Sequence, residues 1–168
     1  MPSEDFPHAD WISTLDPSAL ASWSRPRFGV SVITHKRPWS LRRLLLSLQL
    51  AHLFGEEVSV DIYAESASDE ETLSLIDDLA QKWGCRGKVH GHFRVLRGGL
   101  IRAVTESYYP AGRHDHGILL EDDIEVSPSF FAWAKWTTLT YQYGREDNFA
   151  ADLYGVSLYS PRYTYLHT

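Results

Sequence analysis

The sequence predicts an α/β fold, a mostly parallel β-sheet covered by helices on both faces. Three observations carry this. Short β-rich runs alternate along the chain with longer stretches of helical hydrophobic period, the pattern of strand-helix-strand units. One such run, Gly117 to Glu121, is short and apolar up to its last residue, as a central parallel strand buried on both faces should be. And 168 residues, 43% apolar and 23% charged, are enough for a packed domain that needs neither disulfides nor structural metal.

Taken in order, residues 1–25 read as an N-terminal extension and 26–168 as the domain proper, divided at Ser24-Arg25-Pro26-Arg27. In the extension, Trp11, Ile12, Leu15, Leu20 and Trp23 suggest a short amphipathic helix interrupted at Pro17. Phe28 to Ile33 is a β-rich run, Thr34 to Pro38 a loop, and Ser40 can cap a helix reaching Phe54. Val58 to Ala64 alternates apolar and polar residues and predicts a second strand. A polar turn over Glu65 to Ser68 leads to a helix from Asp69 to Trp83, whose acidic first turn suits the helix dipole. Val89 to Leu96 reads as a third strand, Gly98-Gly99 as a turn, and Leu100 to Tyr109 as a helix stopped by Pro110. The Gly117 to Glu121 strand follows, then a helix from Pro128 to about Tyr143, started by Ser127-Pro128. A further strand begins at Gly155.

The net charge of -6 opposes nonspecific binding to nucleic acid, so any recognition of phosphate has to be local. A lone cysteine, Cys85, offers no internal disulfide or thiolate cluster. The acidic start lacks a signal-peptide core, and the longest apolar run, Leu44 to Phe54, is too short and too interrupted to span a bilayer. Such a chain is expected to be soluble as written, with room for an anchor upstream.

The sharpest chemical feature is Glu121-Asp122-Asp123, three carboxylates directly after an apolar strand. Ligands of open α/β sheets bind beyond the carboxyl ends of the strands, and Mg²⁺ or Mn²⁺ prefers carboxylate oxygen, so the cluster could hold a polyphosphate through a metal; solvated loop carboxylates are the plainer alternative. The loop of Thr34, His35, Lys36 and Arg37 places two cations beside a helix start, a phosphate environment or a basic surface turn. Glu65, ending the second strand, could accept a hydrogen bond from a base or ribose. All three loops leave carboxyl ends of strands, so a parallel sheet brings them to one edge. His90, His92, His114 and His116 lack further ligands at a zinc-like spacing.

On these residues the chain resembles glycosyltransferases of the GT-A fold, particularly the family 2-like group. Val30 to Pro38 with Leu41, Leu44, Leu45 and Leu48 looks like that group's first strand, nucleotide loop and first helix, and Glu65 to Thr72 is similar to its second-strand loop, with Glu where Asp is commoner. Leu119 to Phe131 looks like the metal-binding acidic motif, in the Glu-Asp-Asp variant of the DXD type also seen in N-acetylglucosaminyltransferase I. The resemblance implies a three-layer Rossmann-like GT-A sandwich, incomplete at its C-terminus, that binds a nucleotide-diphosphate sugar, with UDP-sugar favoured, and transfers the sugar to an acceptor hydroxyl with Mn²⁺ or Mg²⁺. It makes Asp123 the metal ligand and places Glu121 and Asp122 on sugar or ribose; Thr34, Lys36, Arg37 and Glu65 complete the substrate-binding set. The catalytic base such enzymes use has no candidate after Tyr154, where the resemblance locates it, so this chain alone is expected to have little transferase activity and to expose Tyr159, Tyr163, Tyr165 and Leu166. A noncatalytic nucleotide-binding module fits the same residues. A nucleotidyltransferase would usually carry glycine in its first loop, and Thr34 to Pro38 has none.

Overall fold

The structure, a computed structural model, describes residues 1–65 and 69–159. In chain order its helices and strands are α1 (Pro17–Ala21), β1 (Arg27–Thr34), α2 (Pro38–Gln49), β2 (Ser59–Ala64), α3 (Glu70–Trp83), β3 (Val89–Phe93), α4 (Gly99–Thr105), β4 (Asp115–Glu121) and α5 (Phe130–Gln142). The strands form one sheet in the order β3-β2-β1-β4, with every described pairing parallel. Parallel neighbours cannot be joined by a hairpin, so each connection crosses a face of the sheet through a helix.

Register decides which side chains share a face. Val30 lies between Val60 and Ile118, and Val32 between Ile62 and Leu120. This apolar face is buried under Leu41, Leu44 and Leu48 of α2, Leu75 and Leu79 of α3 and Phe131 of α5. On the opposite face Ser31 Oγ donates to the Ser107 carbonyl at 2.7 Å. There the Tyr108 ring also lies so close to Gly117 that a Cβ would meet it at 2.7 Å. The result is the three-layer, Rossmann-like arrangement that the alternation predicts.

Several ends differ from expectation. The chain leaves α2 at Gln49 and turns through Phe54 and Gly55, at φ 55° and 81°. The apolar run continues, but tertiary partners take the donors a longer helix would use: His52 N–H donates to the Pro128 carbonyl at 2.9 Å and Phe54 N–H to the buried Asp5 carboxylate at 2.8 Å. At its start, α2 takes Pro38 into its first turn, where the missing N–H costs nothing. The N-terminal helical stretch is interrupted just before Pro17, between a 3₁₀ turn at Asp10–Thr14 and α1, which Pro17 opens and the Asp16 carboxylate caps by accepting the N–H groups of Ser18 and Ala19 at 2.8 and 3.0 Å. At the other end α5 begins at Phe130, whose N–H bonds to Ser127 in a preceding turn. β3 and α4 end at Phe93 and Thr105, short of Leu96 and Tyr109, while β4 begins earlier, at Asp115. No strand forms from Gly155 to Tyr159. The expected turn at Ser66 to Ser68 and the residues Tyr163, Tyr165 and Leu166 lie outside the described residues.

The N-terminal segment docks on this frame. Trp11 and Trp23 stack at 5.7 Å and pack against the main core. Trp136 Nε1 donates to Thr14 Oγ1 at 3.0 Å, and Arg145 N–H to the Asp16 carboxylate at 3.2 Å. Lys135 of α5 is fully buried, ion-paired with Glu56, its ammonium 3.9 Å from the Trp23 ring centre. No described helix is long and apolar enough to cross a membrane.

Candidate functional site

The carboxyl ends of β1, β2 and β4 meet at one edge of the sheet, where Ile33 of β1 stands opposite Glu121 of β4 and Thr34 opposite Ala64 of β2. The residues leaving these ends enclose a cavity of about 360 Å³. Its walls include Thr34, His35 and Arg37 after β1, Glu65 after β2, and Glu121, Asp122 and Asp123 after β4. The sheet therefore brings together six of the seven residues singled out from the sequence.

Asp122 is the anchor of the site. Only 5% exposed, it accepts the Thr34 hydroxyl at 2.7 Å and the His35 N–H at 3.2 Å on one oxygen, so it fixes the first loop to the fourth strand. Asp123, half exposed, reaches out beside it. The Arg37 guanidinium lies against both, with Nη1 3.5 Å from Asp122 Oδ1 and 3.2 Å from Asp123 Oδ2. The acidic loop is braced from behind: Arg43 Nε donates to Glu125 at 2.7 Å, and Val126 N–H to Ser47 Oγ at 3.0 Å. Glu65 is buried, and its two oxygens accept the N–H groups of Gly98 and Gly99 at 2.8 and 2.9 Å.

Lys36 stands apart from the cavity walls, in a left-handed conformation at φ 50°. Its charge assists in holding the Asp69 carboxyl below the usual carboxylate range, an effect due chiefly to the Thr72 N–H that Asp69 accepts in capping α3. The sequence reading named His35 only as part of the first loop and did not foresee Arg97, Leu100 and Ala103, which also line the cavity. A signal for the 97–103 wall existed in Gly98-Gly99: Gly99 sits at φ 74°, where a side chain is strained. His90 and His92 lie elsewhere, on the β3 edge, both bonded to Asp61 at 3.2 and 2.8 Å.

Four carboxylates and two guanidiniums thus share one small cavity. Among the described residues no three or more His, Cys, Asp or Glu side chains are grouped to hold a metal by themselves. The hard oxygens of the acidic loop fit the other arrangement, in which one or two carboxylates hold Mg²⁺ or Mn²⁺ and phosphate oxygens complete the shell. The Arg37 guanidinium, resting on two of these carboxylates, marks the place as one that accepts a cation.

Among solved structures, the chain is similar to TarS residues 1–349 from S. aureus, at a TM-score of 0.51 and 15% identity over 67% of this chain and 32% of that one. The same TarS segment in complex with UDP-GlcNAc matches at 0.51 and 18% identity, over 67% and 31%. The mannosyltransferase PcManGT from Pyrobaculum calidifontis, in complex with GDP-Man and Mn²⁺, matches at 0.52 and 18%, over 78% and 38%. The likeness is one of fold, and the chain spans about a third of the length of these structures. No curated protein matches it. Residues 39–154 match the family described as the SPBC1E8.03c C-terminal domain, and with more than half of its length inside that match the chain belongs to this family.

Proposed function

We propose that residues 26–168, with the 1–25 extension docked on them, bind a nucleotide-diphosphate sugar with Mn²⁺ or Mg²⁺ and serve a glycosyltransferase that passes the sugar to an acceptor hydroxyl. The observation that carries this reading is the convergence of Glu121, Asp122 and Asp123 with Arg37 and Arg97 in one cavity at the carboxyl ends of β1, β2 and β4. The ligands named for the similar structures, UDP-GlcNAc in one and GDP-Man with Mn²⁺ in the other, support it. We take the acidic triplet as a DXD-type motif of the family 2-like group, and a UDP-sugar as the donor.

In this reading Asp123, half exposed at the cavity, is the metal ligand. Glu121 and Asp122 face the sugar or ribose, while Asp122 also holds the Thr34-His35 backbone in place. Thr34 and Arg37 serve the diphosphate, and Glu65 the base or ribose; Lys36, expected beside them, stands outside the cavity walls and has no part in this reading. A divalent cation, when bound, offsets the negative charge that grows on the departing diphosphate. The residues of the chain provide orientation: a loop fixed by buried hydrogen bonds holds the donor in one pose, which removes much of the entropic barrier to transfer.

Calorimetry with UDP in Mn²⁺ tests the reading. UDP binds in Mn²⁺, and binding is largely lost in chelator and in the Asp123→Ala protein; Asp123→Asn is nearly as damaging, since it keeps the shape and removes the charge. Unchanged UDP affinity in chelator or in Asp123→Ala removes the metal role, and failure of UDP, GDP and their sugars to bind at all removes the reading. Product analysis over a nucleotide-sugar panel then identifies the donor.

A further inference from the structure

We infer that Arg37 is a resident counter-cation of the acidic loop, which an incoming divalent cation displaces from Asp123 and a nucleoside diphosphate then recaptures. One side chain thereby opposes metal binding and favours nucleotide binding. The inference rests on the reading of the cavity given above.

The geometry of the contact points to this. A single guanidinium nitrogen, Nη1, reaches Asp123 Oδ2 at 3.2 Å and Asp122 Oδ1 at 3.5 Å, with no two-pronged fork on either carboxylate. The Arg37 and Asp123 side chains are 59% and 52% exposed, so their pair is screened by water and easily parted. Asp122 differs: its side chain is 7% exposed, and the Thr34 hydroxyl and His35 N–H hold it. The movable partners are therefore Arg37 and Asp123, around a fixed Asp122. With Glu121 and Glu65 on the same walls, the cavity gathers negative charge that Arg37 partly offsets when no ligand is present.

Two cations cannot both occupy Asp123 without repulsion, so a metal ion that takes the carboxylate expels the guanidinium. Arg37 immediately precedes α2 and lines the cavity, so the freed side chain stays tethered beside the diphosphate site. A diphosphate offers it oxygen pairs that match the guanidinium fork better than the single-nitrogen contact does. Lys36, beside Asp69 and outside the cavity walls, is not placed to substitute.

The test uses the 168-residue chain with Mn²⁺ alone, followed by the loss of the free Mn²⁺ electron-spin resonance signal, and then UDP at saturating Mn²⁺ by calorimetry. Arg37→Ala should bind Mn²⁺ about fivefold more tightly, the size of one exposed ion pair removed. It should bind UDP about tenfold more weakly, the size of one charge-assisted hydrogen bond lost. Arg37→Lys, which keeps charge without the fork, should fall between for UDP. Arg42 of α2 is half exposed, faces Glu71 and lies outside the cavity walls, so Arg42→Ala, which removes the same charge, should change Mn²⁺ affinity by less than about twofold. If Arg37→Ala leaves Mn²⁺ affinity unchanged or weakens it, or if Arg42→Ala tightens it equally, the inference is overturned while the reading of the cavity stands. A native chain that binds neither Mn²⁺ nor UDP overturns both.

Discussion

Glu65 gives both carboxylate oxygens to backbone N–H groups at Gly98 and Gly99, and that grip shapes the wall on which Arg97, Leu100 and Ala103 stand. Glutamine in its place keeps one acceptor and turns an NH₂ toward a second N–H. Glu65→Gln should therefore weaken UDP binding by about tenfold, the cost of one hydrogen bond to a charged group, and leave Mn²⁺ affinity unchanged. Equal loss for both ligands in calorimetry would contradict this. The position of Glu65, at the end of an alternating strand, is legible in the sequence; its partners, more than thirty residues on, depend on a loop whose path no local pattern fixes. His116 presents another residue-scale consequence. Its Nε2 is buried without a hydrogen-bond partner among the described residues, and burial holds the imidazole below its ordinary pKa, against the pull of Asp115 and with some help from His114. The unfolded chain then takes up the proton first, so stability is lost as pH falls below about 6.5. Melting temperatures should fall between pH 7.5 and 5.5, and the fall should be smaller in His116→Phe, which keeps the ring contact with Phe28.

The helices and strands themselves were legible because each carries its own period; the caps were less so, since Asp69, expected in the first turn of α3, caps it, and Ser40, expected to cap α2, lies inside it. Their ends were not, because ends are settled by contacts from elsewhere: Asp5 and Pro128 stop α2. A continuous apolar run shows that a segment is buried, and cannot show which distant group takes its N–H. The same limit hides Lys135, a lysine on an apolar helix that turns out to be fully buried. Burial pulls its ammonium below the ordinary lysine pKa in spite of Glu56, so the pair survives on mutual compensation. Removing the acid alone should be costly: Glu56→Gln is expected to lose about 2–4 kcal/mol in denaturant unfolding, while Lys135→Met, with an apolar chain of similar length, loses much less. Equal losses would show that the ammonium is better hydrated than its surroundings indicate.

At the scale of the whole molecule, the parallel sheet is what made the site readable. Once every strand points the same way, residues that follow strands share an edge, and Thr34, Arg37, Glu65 and the acidic triplet assemble there without being near in sequence. Strand order is different, since nothing local distinguishes an edge from a centre: β4, apolar as a central strand, stands at the edge of the described sheet with Leu119 42% exposed. Leu96, Ile101, Tyr154 and Tyr159 are each more than 70% exposed as well. So much uncovered apolar surface should make the isolated chain self-associate, visible as an apparent mass in light scattering that rises with concentration; a strict monomer across the range would refute this. The seam between the N-terminal segment and α5 has a consequence for biosynthesis. Thr14 and Asp16 are translated 122 and 129 residues before their partners Trp136, in α5, and Arg145, just after it. At ordinary elongation rates the wait is roughly ten seconds. During that interval Trp11 and Trp23 lack the α5 side chains that pack against them, so the N-terminal segment can finish docking only after the helix it covers has been made.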